Sequence, residues 1–295
     1  MGALDGRVAI ITGAGRGIGR EHALLFASEG AEVVVNDLGG ASDGAGADAT
    51  PAQQVVDEIR AAGGTAIANG DDVTDSEGAQ HLVQAALDAF GELHVLVNNA
   101  GILRDRTLVN MSDEEWDSVT RVHLRGHFMP LRAAGRYWRE AHKAGRSLRP
   151  SVINTASTSG LFGNVGQGNY GAAKSGIASL TTIAQLEMER FGVRLNAICP
   201  AARTRLTENL LADTTTAEFD VEDPANISPF VAYLATEDCP LAGRTFYVHG
   251  GSVSLFHPWA IVDTIEAGRR WTIEELAKEA PRLGEVPFKL GIPWE

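Results

Sequence analysis

The sequence predicts an α/β protein built on one doubly wound parallel sheet of about seven strands, with helices on both faces. Three observations carry that prediction. Short apolar runs alternate with longer stretches of helical periodicity, the pattern of right-handed β-α-β crossovers. The apolar runs are nearly continuous, as strands covered on both faces must be. No linker, repeat or shift of composition divides the 295 residues, so one large domain takes up most of the chain.

In order, residues 8–11, 32–36, 65–68, 94–97, 151–154, 193–198 and 245–248 read as strands. Residues 16–28, 51–61, 76–90, 113–141, 170–191 and 224–236 read as helices between them. The stretch 38–50 is rich in Gly, Ala and Asp and reads as a loop, either an ordered flap or a mobile insertion. Residues 252–295 form a tail outside the rhythm. Within it Thr272 and Glu275 have the spacing of a capping box, which starts a helix. Trp259, Trp271 and Trp294 give the tail large apolar surface. Docking on the chain's own core is the favoured use of such rings, ahead of a subunit contact or a wall of a cleft.

Composition narrows the partners. Apolar residues make up 44% and charged residues 21%, enough for a sizeable core. A net charge of −13 argues against nucleic acid or an anionic membrane, both of which need clustered positive charge. There is no signal-like segment and no apolar run of spanning length. Cys199 and Cys239 suit no metal motif and cannot staple a domain of this size, so no metal and a reducing cytoplasm are expected.

Residues 12–19, Thr-Gly-Ala-Gly-Arg-Gly-Ile-Gly, follow the first strand and open the first helix. Glycines there allow a tight turn and close approach to a pyrophosphate, and the helix start offers unpaired N–H groups. Gly13, Arg16, Gly17, Ile18 and Gly19 are therefore candidate contacts in a Rossmann-type crossover. Asp37 closes the second strand eighteen positions after Gly19. A carboxylate there accepts bonds from both ribose hydroxyls and repels a 2′-phosphate, which predicts NAD over NADP. Asp72 and Val73 after the third strand can hold the adenine. Asn99, Ala100 and Gly101 end the fourth strand at the ligand-binding edge. Each short stretch alone is also an ordinary turn sequence.

Tyr170 and Lys174 stand four apart, on one face of a helix with about 3.6 residues per turn. A phenol and an ammonium together can move a proton on a substrate oxygen. A free phenol has a pKa of about 10, too high for a base at neutral pH. Two cations can lower it, the Lys174 ammonium and an oxidised nicotinamide ring, and one such charge at ~4 Å in an effective dielectric of ~20 offers about 4 kcal/mol, enough in principle. Beside a nucleotide loop, this pair is the equipment of an oxidoreductase.

The ordered set, from the 12–19 loop through Asp72-Val73, Asn98 to Gly101, Ser157, Tyr170, Lys174 and Pro200, resembles a short-chain dehydrogenase/reductase over roughly residues 6–251. Residues 33–40, 122–126 and 160–167 are also similar to the (3R)-hydroxyacyl-CoA dehydrogenase unit of the peroxisomal multifunctional β-oxidation enzyme, here in a bacterial-looking stand-alone form. The resemblance implies a nicotinamide cofactor, a homotetramer or homodimer, and Ser157 steadying the substrate oxygen. It further implies a Pro200 and Thr204 contact to the cofactor, with Thr204 one place earlier than in many members. It points to an acyl-CoA substrate, or alternatively a hydroxysteroid; a regulator without catalysis is the reading from another class. Many members have Asn where His123 stands, helping to hold a water that leads from the lysine to solvent. Here the His123 ring or the helix backbone could hold it. Residues 201–222, with Leu206, Leu210, Leu211 and Phe219, read as a substrate lid. Arg132, Arg136, Arg139, Lys143 and Arg146 share a helix face, which reads as a solvated face ahead of a CoA-phosphate site.

Overall fold

The computed structural model describes residues 2–41, 43–204, 219–257, 259–286 and 291. Leu206, Leu210, Leu211 and Trp294, and with them most of the expected lid, lie outside the described residues.

Seven parallel strands form one sheet: β1 (Val8–Thr12), β2 (Glu32–Asn36), β3 (Thr65–Asn69), β4 (Val95–Asn98), β5 (Ser151–Thr155), β6 (Arg194–Ala201) and β7 (Thr245–His249). An eighth, β8 (Ser252–Leu255), pairs antiparallel with β7 at the edge, and the order is β3-β2-β1-β4-β5-β6-β7-β8. The sequence reading placed 252 in the tail. Every residue of β8 is exposed, so no apolar run marks it. The signal present is the Gly250-Gly251 pair between β7 and β8, with Gly250 at φ +51°, as a two-residue hairpin requires.

The strands bury both faces, and their residues alternate between two cores. Ala9 and Ile11 face α1 (Gly17–Ser28), α2 (Thr50–Ala61) and α8 (Ser228–Ala235) through Phe26, Val55, Ile59 and Leu234. Val8 and Ile10 face α3 (Ser76–Phe90) and α5 (Gly126–Lys143) through Leu82, Leu131 and Trp138. Trp138 is buried with its indole N–H donating to the Leu93 carbonyl at 2.8 Å. Truncating it to alanine costs about 3–5 kcal/mol.

The expected helix 113–141 is broken. α4 (Asp113–Thr120) starts on a Ser112/Glu115 capping box and gives way to a π-turn (Arg121–Arg125) before α5. Such turns recur at functional sites, and this one carries His123. A short helix missed by periodicity, α6 (Thr158–Phe162), precedes α7 (Gly168–Met188), the helix of Tyr170 and Lys174. The tail helix α9 (Ile273–Glu279) begins at the Thr272/Glu275 box. Trp259 is 85% exposed and Ile261 90%, so this part of the tail does not dock on its own core.

Candidate active site

The strand order reverses between β1 and β4, and ligands of open α/β sheets bind in the crevice outside that point. A cavity of about 250 Å³ lies there. It is lined by Gly13, Arg16, Gly17, Ile18, Gly19, Asp37, Asp72, Val73, Asn99, Ala100, Gly101, Tyr170, Lys174, Pro200 and Thr204, each singled out from the sequence. Ser157 is not on its wall. It caps α6, accepting from Ser159 N at 3.2 Å, and its hydroxyl is near enough to the Tyr170 phenol to lower that group's pKa. The expected Arg132 to Arg146 stripe is also absent from the wall. Arg139 and Lys143 pair with Glu140, and Arg146 with Glu92, as a solvated face does.

The nucleotide side is built from backbone and short polar groups. Arg16 at the N-cap of α1 gives no side-chain cap, the first turn has no acid, and Gly17, Ile18 and Gly19 of that turn line the cavity, so among the described residues no side chain caps its N–H groups. That is the donor set a pyrophosphate takes. The Asp37 carboxylate accepts from Gly15 N at 2.8 Å and Gly39 N at 2.6 Å, which aims it. The Asn99 amide donates to the Thr12 and Gly13 carbonyls at 3.1 and 3.2 Å, so Asn99 braces the glycine turn. Asp72 accepts from Thr74 N at 2.8 Å and lies 3.7 Å from the Arg121 guanidinium.

The catalytic side is built from buried titratable groups. Lys174 is 2% exposed and donates to the Thr155 carbonyl. Burial pushes its pKa down to about 7. Tyr170 is half-buried, its ring 5.4 Å from the Lys174 ammonium and edge-on to His123 at 5.0 Å. Burial pushes the phenol up to about 12, with the Ser157 bond working the other way. Burial therefore raises the demand on the two cations expected to lower the phenol, the Lys174 ammonium and an oxidised nicotinamide ring. His123 lies behind Tyr170, its Nε2 2.8 Å from the Ile102 carbonyl. Burial, then the Lys174 charge, lowers it well below the usual imidazole value. The same two causes push His127 down to about 3.

Two features escaped the sequence reading. One is a buried polar chain behind the lysine: Asn98 Nδ2 donates to Asn154 Oδ1 at 3.0 Å, and Asn154 Nδ2 to Thr181 Oγ1 at 2.9 Å. His127 beside it stands four residues after His123, a helix-face spacing that could have flagged it. The other is Arg104, whose guanidinium bonds the Asp43 carbonyl at 2.9 Å. No local pattern announces that contact across 61 residues.

The family profile described as short chain dehydrogenase matches residues 7–215. The chain is 43% identical to the hydroxyacyl-CoA dehydrogenase ChsB1 of Mycobacterium tuberculosis, covering 92% of this chain and 87% of that one. It is 49% identical to the peroxisomal multifunctional enzyme type 2 of Drosophila melanogaster, covering 86% of this chain and 40% of that protein. A crystal structure of a short chain dehydrogenase from Mycobacterium avium superposes with a TM-score of 0.90 at 49% identity, covering 99% of both chains. Among the described residues no helix is long and apolar enough to cross a membrane.

Proposed function

The chain belongs to the short-chain dehydrogenase family of nicotinamide-dependent oxidoreductases acting on CH-OH groups, and from that premise we propose that it interconverts a 3-hydroxyacyl-CoA thioester and its ketone with NAD. The observation that carries the reading is one cavity shared by an uncapped helix start, a fixed carboxylate and a phenol–amine pair. The thioester is favoured by the likeness to ChsB1, which spans nearly the whole of both chains. NAD over NADP is favoured by Asp37, because two N–H bonds aim its negative charge where a 2′-phosphate would enter.

In this reading Tyr170 removes the alcohol proton, Ser157 steadies the oxygen, and Lys174 binds the ribose hydroxyls and orients the cofactor. Bringing a phenol from about 12 to neutral pH needs about 7 kcal/mol. One unit charge at ~4 Å supplies about 4 kcal/mol at an effective dielectric of ~20, so the lysine is not enough. The oxidised nicotinamide supplies the hydride acceptor and the second positive charge when bound. Protonated Lys174 supplies the first, and the phenolate it stabilises keeps the proton on the amine in turn.

Residues 252–295 serve in the proposal as a subunit contact or cleft wall, supported by exposed Trp259 and Ile261. A homodimer or homotetramer fits these side chains together with exposed Ile183 and Leu186 on α7. Two buried free thiols suit a reducing cytoplasm.

The test is formation of reduced nicotinamide from NAD over 3-hydroxyacyl-CoAs, hydroxysteroids and simple alcohols. Thioester turnover abolished by Tyr170→Phe is expected. Robust turnover of free steroids with none of thioesters replaces the substrate assignment.

A further inference from the structure

We propose that Arg104 is a positioning residue that latches residues 38–41 and 43–49 across the cavity and sets how fast the nicotinamide cofactor leaves. The proposal rests on the reading that the cavity holds a dinucleotide. β1 lies between β2 and β4 in the sheet, and the glycine turn follows β1. The loops after β2 and β4 therefore leave from opposite sides of that turn, about 10 Å apart at two strand spacings. They nevertheless meet. Arg104 Nε donates to the Asp43 carbonyl at 2.9 Å. A Cβ built on Gly44 would sit 3.0 Å from Ile102 Cδ1, so the Gly44 backbone already packs against the Ile102 side chain there. Loops joined in this way arch over the end of β1. A dinucleotide running from Asp37, at the end of β2, to Tyr170 passes beneath the arch. Leu38, Ala41 and Gly44 line the cavity from one loop and Ile102 and Leu103 from the other.

The arch has a firm hinge and a firm post. At its base Asp48 N donates to the Leu38 carbonyl at 2.9 Å, and Asp37 accepts from Gly39 N. Ala41 N donates to the Ala45 carbonyl at 2.8 Å and Gly44 N to the Ala41 carbonyl at 3.0 Å, so these residues of the flap are tied to one another. On the far side Arg104 Nη1 bonds Glu114 of α4 at 2.9 Å. The Arg104 carbonyl accepts from Asn169 Nδ2 at 3.0 Å, and Asn169 Oδ1 accepts from Tyr170 N at 2.8 Å. The residue that holds the flap shut is thus tied through its backbone to the start of the tyrosine helix.

The experiment is stopped-flow fluorescence of NADH release from the full chain, with Arg104→Ala and Arg104→Lys, followed by hydrogen exchange of the same proteins. Loss of a charge-assisted bond predicts release about 10- to 100-fold faster in Arg104→Ala. Arg104→Lys, which keeps a donor, is expected to fall between. Exchange should rise at the Ala41 and Asp48 amides and stay unchanged in the sheet. The pH profile of turnover at saturating NAD should not move, because the backbone bond from Asn169 remains. Unchanged release in Arg104→Ala, or faster exchange spread through the whole sheet, overturns the latch. A wild-type chain that binds no NADH overturns the dinucleotide reading and the latch with it, whereas tight wild-type binding with unchanged release overturns the latch alone.

Discussion

The two halves of the cavity are made in different ways. On the nucleotide side the polar side chains are satisfied: Asn99 and Asp37 each spend theirs on loop backbone. On the catalytic side they are not. Among the described residues, eight buried side-chain atoms lack a hydrogen-bond partner. Four of them, Asn98 Oδ1, His123 Nδ1, His127 Nε2 and Thr155 Oγ1, belong to the polar cluster behind Lys174. Recognition of a dinucleotide needs shape and backbone donors, which cost the fold little. Proton transfer needs titratable groups held away from water, and each such group destabilises the folded state.

The most direct way to break this comparison is Tyr170→Phe, which keeps the ring and removes the proton. Turnover should fall about 10²- to 10⁴-fold, while NADH binding, a property of the other half, stays within a few-fold of wild type. In the wild type, kcat/KM for the alcohol at saturating NAD should rise with pH through an apparent pKa well below the value of about 12 to which burial alone pushes the Tyr170 phenol. A limb that stays near 12 removes the two-charge argument. Lys174→Met tests the stability cost itself. The folded-state pKa of about 7 lies below the ordinary 10.5, so between these values the unfolded chain holds more protons and wild-type stability climbs with pH. The variant should therefore be inactive yet more stable, by a few kcal/mol at and below pH 7, with the gap closing toward pH 10.5. Equal stability across that range would show that Lys174 is not strained by burial.

The two halves also differ in how legible they were. The glycine turn, Asp37 and the Tyr170/Lys174 spacing are local patterns, and all line one cavity because the α/β crossover brings strand ends together. The parallel sheet covered by helices on both faces was legible for the same reason. What stayed hidden is long-range or depends on burial. Asn98 meets Asn154 across 56 residues and Asn154 meets Thr181 across 27, and Arg104 meets Asp43 across 61. The four-residue spacing places the phenol and amine on one face of α7, 5.4 Å apart, but carries nothing of their energetics, because desolvation depends on everything packed around them. The π-turn carrying His123 interrupts a stretch whose apolar pattern reads as one helix. β8 escaped because an exposed edge strand has no apolar run.

Asp37→Ser sharpens the nucleotide side. Removing the charge should relax the cofactor preference toward NADP by about 10- to 100-fold, from the like-charge repulsion it ends, with turnover at saturating NAD nearly unchanged. An unmoved preference would mean that the carboxylate serves only the turn formed by Gly15 and Gly39.

The smallest effect tests whether satisfied backbone really sets recognition. Asn99 spans the glycine turn with two amide bonds, to Thr12 O and Gly13 O, and its own N–H is held by Thr12 Oγ1 at 3.0 Å. Gly13 has φ +63°, and its Cα has Ala100 packed so close that a Cβ would come within 2.7 Å of the Ala100 Cα. The turn is thus held by packing from one side and by Asn99 from the other. Asn99→Ala removes two hydrogen bonds worth about 1 kcal/mol each, so cofactor affinity should weaken about 10- to 30-fold. The pH profile of Tyr170, which shares no hydrogen bond with Asn99, should not shift. A shifted profile with unchanged affinity would reverse the division, making Asn99 part of the proton-transfer half. Isothermal titration with NADH and a pH–rate series on the same variant read both quantities.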